Sequence, residues 1–146
     1  MGPGPATPQS VLFVCRQNVI RSPMAAAIAR HLFPRSIYVR SAGIERGNPD
    51  PFAVAAMKEI GLDISDRQPR TLEDLGDTGF DLVVTLAPEA HHRALELART
   101  ESFDVEYWPT MDPTGATGSR EQILDAYRAV RDGLYGRIAR RFGRPD

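Results

Sequence analysis

The chain has 146 residues, of which 42% are hydrophobic, and its formal net charge at pH 7 is −1. This length and composition predict one domain with a sizeable core, and no stretch is long and apolar enough to span a bilayer. The nearly neutral charge gives no general attraction to nucleic acid or to an anionic membrane, so we expect neither as a partner.

Residues 1–9 begin the chain and are rich in glycine and proline. They lack the apolar core of a secretion signal, and we expect a disordered tail before a domain that spans residues 10–146. The chain has a single cysteine, so an internal disulfide is impossible. Both features are typical of a protein of the reducing cytoplasm.

The first predicted strand is the apolar run at residues 11–14, which suits a strand buried on both faces. It leads directly into the only cysteine, Cys15. After a short loop, Ser22 as N-cap and Pro23 as the first helical residue predict a helix that ends at Phe33.

Strands and helices then alternate along the chain. The first predicted elements are a strand at residues 37–41, a helix that Asp50 and Pro51 open and Gly61 ends, with Ile60 facing the core, and a short helix capped by Thr71. They are followed by a strand at residues 82–86, a helix at residues 88–97, a strand at residues 103–108 and a last helix opened by a capping box of Ser119 and Gln122. This alternation favours an α/β fold with a parallel sheet covered on both faces. Ligand sites in such sheets lie at the carboxyl ends of the strands, where Cys15 stands.

The loop from Cys15 to Arg21 combines groups that suit a thiolate beside a bound oxyanion. Backbone N–H groups of a tight loop can converge on an anion, and the N-terminus of the following helix adds partial positive charge. Arg21 offers a planar fork that matches two oxygens of a phosphate, and Asn18 tolerates the left-handed backbone of a tight loop. A buried core cysteine is the alternative, but the context favours a nucleophile.

The motif Cys-x-x-Asn-x-x-Arg-Ser-Pro resembles the phosphate-binding loop of the low-molecular-weight protein tyrosine phosphatases. It also resembles that of their relatives, the thioredoxin-coupled type of arsenate reductase. The likeness continues through Ser41-Ala42-Gly43-Ile44, residues 61–65, residues 80–86 and Asp112-Pro113, in the order of the family. The resemblance implies a single-domain, three-layer α/β/α sandwich with a four-stranded parallel sheet.

The resemblance also implies a mechanism, in which Cys15 attacks phosphorus and forms a phosphocysteine. Arg21 and the loop amides would bind the phosphoryl oxygens, and Asp112 would protonate the leaving oxygen and then activate water. The implied substrate-binding residues are Arg16, Gln17, Asn18, Val19, Ile20 and Ser22. From the residues alone, Asp112-Pro113 is also a common turn pair, although its loop follows the fourth predicted strand and so lies at the same sheet edge as Cys15.

No metal or cofactor is predicted. The three histidines, His31, His91 and His92, lack the spacing of a metal site, and we expect surface or structural roles for them.

The chain departs from the family pattern at three places. Gln17 stands where the family loop usually has glycine, so the loop would be strained if this position needs a positive φ. Residues 114–118 contain no aromatic side chain to flank a phosphotyrosine ring, although Tyr107 or Trp108 could form a wall. Ala87 stands where the arsenate reductases carry a relay cysteine, so an arsenate reductase of this sequence would need an external thiol such as glutathione or mycothiol.

Three functions remain open from the sequence. The first is a phosphomonoesterase that acts on a phosphotyrosine protein or a small aryl phosphate. The second is an arsenate–thiol transferase that uses arsenate and an external thiol. The third is an oxyanion-binding module with little turnover, which Gln17 keeps open.

Overall fold

The computed structural model describes residues 7–76 and 79–146. Of the predicted N-terminal tail, residues 1–6 lie outside the described residues. Gln9 is hydrogen-bonded at the start of the sheet, since its N–H donates to Asp81 Oδ2 at 2.9 Å and its carbonyl accepts from the Tyr38 N–H at 2.8 Å.

In the described part of the chain, four parallel strands form one sheet in the order β2-β1-β3-β4. They are β1 at Ser10–Cys15, β2 at Tyr38–Gly43, β3 at Leu82–Thr85 and β4 at Asp104–Tyr107. The strand β1 is central and buried on both faces, as its apolar run predicts. The predicted α/β class and four-stranded parallel sheet are confirmed, with strand ends shifted by one or two residues.

Helices cover both faces of the sheet. They are α1 at Arg21–Leu32, α2 at Pro51–Lys58, α3 at Leu72–Leu75, α4 at Pro88–Leu97 and α5 at Arg120–Phe142, with a short 3₁₀ turn at Pro113–Gly115. Helices α1, α2 and α5 share one apolar core with alternate residues of β1, and α3 and α4 pack on the opposite face. Of these helices, none combines the length and apolar character needed to cross a membrane.

Three helix starts follow the predicted capping chemistry. The Asp50 carboxylate accepts from the Phe52 N–H at 2.9 Å, with Pro51 as the first residue of α2. Capping boxes at Thr71 and Ser119 open α3 and α5. Each of these signals depends on residues within one helical turn, which is why the sequence alone indicates them.

The predicted start of α1 is wrong. The helix begins at Arg21, two residues before Pro23, and its N-cap is Ile20, which makes no side-chain capping hydrogen bond. Ser22 lies inside the first turn and is fully buried. Its hydroxyl points at the neighbouring loop and strand instead of at the N–H groups of its own helix, so tertiary contacts replace the expected cap.

The end of α2 also differs from the prediction. The helix ends at Lys58, before Ile60 and Gly61. Ile60 was expected to face the core and is instead 36% exposed, because it lies in the turn that follows the helix.

Candidate active site

The loop between β1 and α1 encloses the sulfur of Cys15. Cys15 is the last residue of β1 and is 2% exposed. The Asn18 N–H donates to Cys15 Sγ at 3.3 Å, and Ser22 Oγ lies 3.0 Å from the same sulfur. Among the described residues, Asn18 is the only non-glycine residue with a positive φ, at 57°. The left-handed backbone that the sequence suggests for Asn18 is therefore present, and it curls the loop around the sulfur.

The Ser22 hydroxyl is placed to respond to the charge of the sulfur. It accepts from Asn18 Nδ2 at 2.9 Å and lies 3.2 Å from the Ala42 carbonyl oxygen as well as 3.0 Å from Cys15 Sγ. A hydroxyl has one proton to donate. It can donate that proton to Ala42 beside a neutral thiol and to the sulfur beside a thiolate.

Asn18 connects the loop to two segments distant in sequence. Its buried side-chain oxygen accepts from the Arg70 N–H at 2.8 Å and from the Arg67 guanidinium, and its Nδ2 also donates to Ser41 Oγ at 3.0 Å. The sequence indicates the place of Asn18 in the tight loop but not its contacts with Arg67 and Arg70, and Asn18 does not line the cavity described below. The only signal for these two arginines is their position just after residues 61–65, a segment that carried the family likeness.

Arg21 and Asp112 meet at the mouth of the loop. Arg21 is 8% exposed, and its Nη1 donates to the Thr110 carbonyl at 2.9 Å, which fixes one side of the fork. Its Nη2 lies 4.0 Å from Asp112 Oδ2. The Asp112 side chain is 49% exposed and accepts from the N–H and the hydroxyl of Thr114, at 3.0 and 2.7 Å. The structure thus brings together the three residues with predicted catalytic roles.

The local environment of Asp112 favours its ionised form. Partial burial acts to raise the pKa of the carboxyl, but the two hydrogen bonds from Thr114 and the charges of Arg21 and Arg16 outweigh it and hold the pKa below its usual range. A bound oxyanion would act in the opposite direction, because a like charge nearby favours the protonated carboxyl.

A polar cavity of about 200 Å³ opens above the sulfur. It is lined by Cys15, Arg16, Gln17, Val19, Ile20, Arg21, Asp112 and Thr114. Arg16 forms an exposed ion pair with Glu45 at 3.1 Å on the rim. The side chain of Ile20 packs in the apolar core, so its predicted binding role rests on its backbone.

Gln17 fits the loop without the backbone strain considered from the sequence. Its φ is not positive, since only Asn18 has that conformation among the non-glycine residues described. The Gln17 side chain packs closely over Gly47, where an added Cβ would lie 2.9 Å from Gln17 Cβ.

Aromatic residues are absent from the described lining of the cavity. Trp108 is buried against Phe13, and Tyr107 stacks on His91 with ring centroids 4.5 Å apart. Neither residue lines the cavity, so neither forms the wall beside a phosphotyrosine ring that was considered from the sequence. Next to the acid, Met111 is 75% exposed.

Two positions considered for other chemistry lie away from the cavity. Ala87 is buried at the start of α4, within the apolar core of that face. The imidazole of His91 pairs with the Thr85 hydroxyl at 3.0 Å, and within residues 7–76 and 79–146 no cluster of three potential metal ligands occurs.

Comparisons with known proteins place this geometry in context. Residues 10–140 match the sequence model of the family described as low molecular weight phosphotyrosine protein phosphatase. A glutaredoxin arsenate reductase of Synechocystis sp. is 33% identical over 130 residues, which are 89% of this chain and 93% of the relative.

Solved structures of two kinds share the fold. A tyrosine phosphatase, AmsI, of Erwinia amylovora superposes with a TM-score of 0.75 at 20% identity, over 94% of this chain and 92% of its own. An arsenate reductase in a phosphate-binding state superposes with a TM-score of 0.70 at 30% identity, over 90% of this chain and 95% of its own.

Proposed function

Because the chain belongs to the low molecular weight phosphotyrosine protein phosphatase family, whose members are cysteine-dependent enzymes, we propose that it hydrolyses phosphomonoesters through a phosphocysteine on Cys15. The observation that carries this proposal is the position of Asp112, with Oδ2 4.0 Å from Arg21 Nη2 at the mouth of the cavity. A proton donor for the leaving oxygen accelerates hydrolysis of a phosphoester, whereas binding of an oxyanion has no use for one.

In the first step of the proposed reaction, the Cys15 thiolate attacks phosphorus. The phosphorus–sulfur bond forms as the bond to the leaving oxygen breaks, and Asp112 gives that oxygen its proton. The Arg21 fork and the N–H groups of the loop hold the three other oxygens, so their charge is stabilised by donors already in place.

In the second step, the Asp112 carboxylate takes a proton from water, and the water oxygen attacks phosphorus. The phosphorus–sulfur bond breaks, inorganic phosphate leaves, and Cys15 returns as a thiolate. The Ser22 hydroxyl, 3.0 Å from Sγ, supports this leaving group by donating a hydrogen bond to the sulfur.

The substrate class we propose is a small aryl phosphate or a phosphotyrosine protein. The arginines at the cavity, Arg16 and Arg21, suit an anionic group. None of the described residues that line the cavity is aromatic, so the site would take the organic part of the substrate without gripping a flat ring between aromatic side chains.

A second candidate is an arsenate–thiol transferase, which the arsenate reductase names of the relatives favour. Cys15 is the only cysteine of the chain, and Ala87 has no thiol to offer. In this reaction Cys15 and one external thiol would together supply the two electrons that reduce arsenate to arsenite, becoming a mixed disulfide. A second external thiol would then restore Cys15.

One pair of assays separates these functions. Hydrolysis of p-nitrophenyl phosphate by the reduced protein, its loss in Cys15→Ser and slower turnover in Asp112→Asn support the phosphatase. No hydrolysis by folded protein, together with arsenate-dependent oxidation of glutathione or mycothiol, supports the transferase. Vanadate binding without either activity assigns the site to an oxyanion-binding module.

A further inference from the structure

Arg67 holds the catalytic loop from outside the substrate cavity. Its Nη1 donates to the Asn18 carbonyl at 2.8 Å, and its Nη2 donates to the side-chain oxygen of Asn18 and lies 3.4 Å from Ser41 Oγ. It does not line the cavity above Cys15, so its fork is available to the loop rather than to a substrate. Arg67 therefore holds both the backbone carbonyl and the side-chain oxygen of Asn18.

The charge of Arg67 has no carboxylate partner in the part of the chain that the structure describes. Its charged neighbours are Arg30 of α1 and Arg70 of its own segment, both positive, and Cys15 of β1, which is negative when ionised. Burial first, and then Arg30 and Arg70, lower the pKa of Arg67 to about 10, while Cys15 acts in the opposite direction. Arg67 thus remains a cation at neutral pH and lies within electrostatic range of Cys15.

A chain of hydrogen bonds also connects Arg67 to the sulfur. Arg67 donates to the side-chain oxygen of Asn18, Asn18 Nδ2 donates to Ser22 Oγ at 2.9 Å, and Ser22 Oγ lies 3.0 Å from Cys15 Sγ. Each donation polarises the next group, so the cation strengthens the bond that the Ser22 hydroxyl offers to a thiolate.

We propose that Arg67 is a positioning residue of the active site, which fixes the loop through Asn18 and stabilises the Cys15 thiolate through its charge. The proposal rests on the proposed function only in taking Cys15 as the nucleophile, and it holds equally for phosphate and arsenate chemistry. In this role Arg67 is a second cation at the site besides Arg21, and it lies on the side of the loop that the substrate does not reach.

The test measures alkylation of Cys15 by iodoacetamide across pH, which reports on this thiol alone because the chain has no other cysteine. Loss of a nearby opposite charge in Arg67→Gln is expected to move the midpoint of the alkylation profile up by about one pH unit. Arg67→Lys keeps the charge, so its midpoint is expected to stay close to that of the unmodified protein. Arg35→Gln is the matched control, since it removes the same charge from an exposed position.

Thermal denaturation and vanadate binding establish that each variant is folded with an intact cavity. A folded Arg67→Gln protein with an unchanged alkylation profile overturns the proposal. So does an equal midpoint shift in the Gln and Lys variants, which would show that the fork alone matters. If Arg67→Gln fails to fold, the Lys variant decides: an unchanged midpoint supports the role of the charge, and a rise of about one unit contradicts it. Because alkylation needs no turnover, the result stands apart from the success or failure of the proposed function.

Discussion

The guanidinium of Arg21 and the carboxylate of Asp112 face each other at the mouth of the cavity, with Nη2 and Oδ2 4.0 Å apart. The Thr110 carbonyl holds Arg21 from one side, and Thr114 holds Asp112 from the other. Both groups are held by contacts within the protein, so an oxyanion bound at the proposed site would meet a cation and an acid that are already in place.

Asp112→Asn is expected to slow hydrolysis of phenyl phosphate by roughly 10²–10⁴ in kcat, because the amide cannot donate the proton that a positioned acid supplies. The loss is expected to be smaller with p-nitrophenyl phosphate, whose leaving group needs less protonation. Steady-state kinetics with both esters measure the difference, with Asp104→Asn as an exposed control on β4. Equal losses with the two esters would contradict the role of Asp112 as the acid.

Gly43 is expected to tolerate no side chain. A Cβ at this position would lie 2.7 Å from the Asn18 backbone nitrogen and 2.8 Å from the carbonyl carbon of Gln17, and neither backbone atom can rotate away. We expect Gly43→Ala to cost about 1–3 kcal/mol of stability, as overpacking does, and to weaken phosphate binding by displacing the loop.

Gly133→Ala provides the control for Gly43. An added Cβ on Gly133 meets nothing within 4 Å, and the residue lies inside α5. The substitution is expected to stabilise the protein by about 0.5–1 kcal/mol, because alanine is the better helix former. Denaturant unfolding of both variants measures the contrast, and a Gly43→Ala protein as stable as Gly133→Ala would show that the loop adapts.

Gln17→Gly tests whether the departure from the family loop impairs the site. Because Gln17 does not need a positive φ, we expect glycine to bring no large gain in activity. It is expected to lower stability by about 0.5–1 kcal/mol through the greater entropy of the unfolded chain. Steady-state kinetics measure the activity of the variant, and denaturant unfolding measures its stability. A tenfold or larger gain in kcat would mean that Gln17 obstructs the cavity.

The residues that the sequence predicts well are those whose partners are close in the chain or fixed by topology. The helix caps at Asp50 and Ser119 depend only on hydrogen bonds to residues within one helical turn. Cys15 ends one parallel strand and Asp112 follows another, so the predicted sheet brings them to the same edge. The sequence does not give their distance from each other, which depends on how the loop after β4 packs.

Long-range contacts account for what the sequence could not show. Arg67 reaches Asn18 across 49 positions, and no local pattern distinguishes it from the other arginines of this arginine-rich chain. Ser22 has the residue type and position of an N-cap, but the buried sulfur and the Ala42 carbonyl compete for its hydroxyl and place it inside the helix.

The last prediction concerns the ion pairs of Glu59, which join the turn after α2 to α5. Its carboxylate accepts from Arg128 Nη2 at 2.6 Å and from Arg131 Nη1 at 2.8 Å. Hydrogen bonds from Arg128 and then Arg131 lower the pKa of Glu59 from 4.5 to about 2. A carboxyl whose pKa is lowered on folding stabilises the protein above its unfolded pKa and loses that contribution as the pH falls towards its folded value.

Glu59→Gln is therefore expected to have a lower Tm than the unmodified protein at pH 7. This deficit in Tm is expected to disappear as the pH falls from 4.5 to about 2, where Glu59 itself becomes protonated. Because the pair with Arg128 is partly exposed to solvent, added salt is expected to reduce part of the deficit at pH 7 as well. Thermal unfolding followed across pH measures both effects, with Glu101→Gln as a control that removes a carboxylate outside the ion pairs described. A deficit that stays constant down to pH 2 would show that Glu59 contributes by packing and not by its charge.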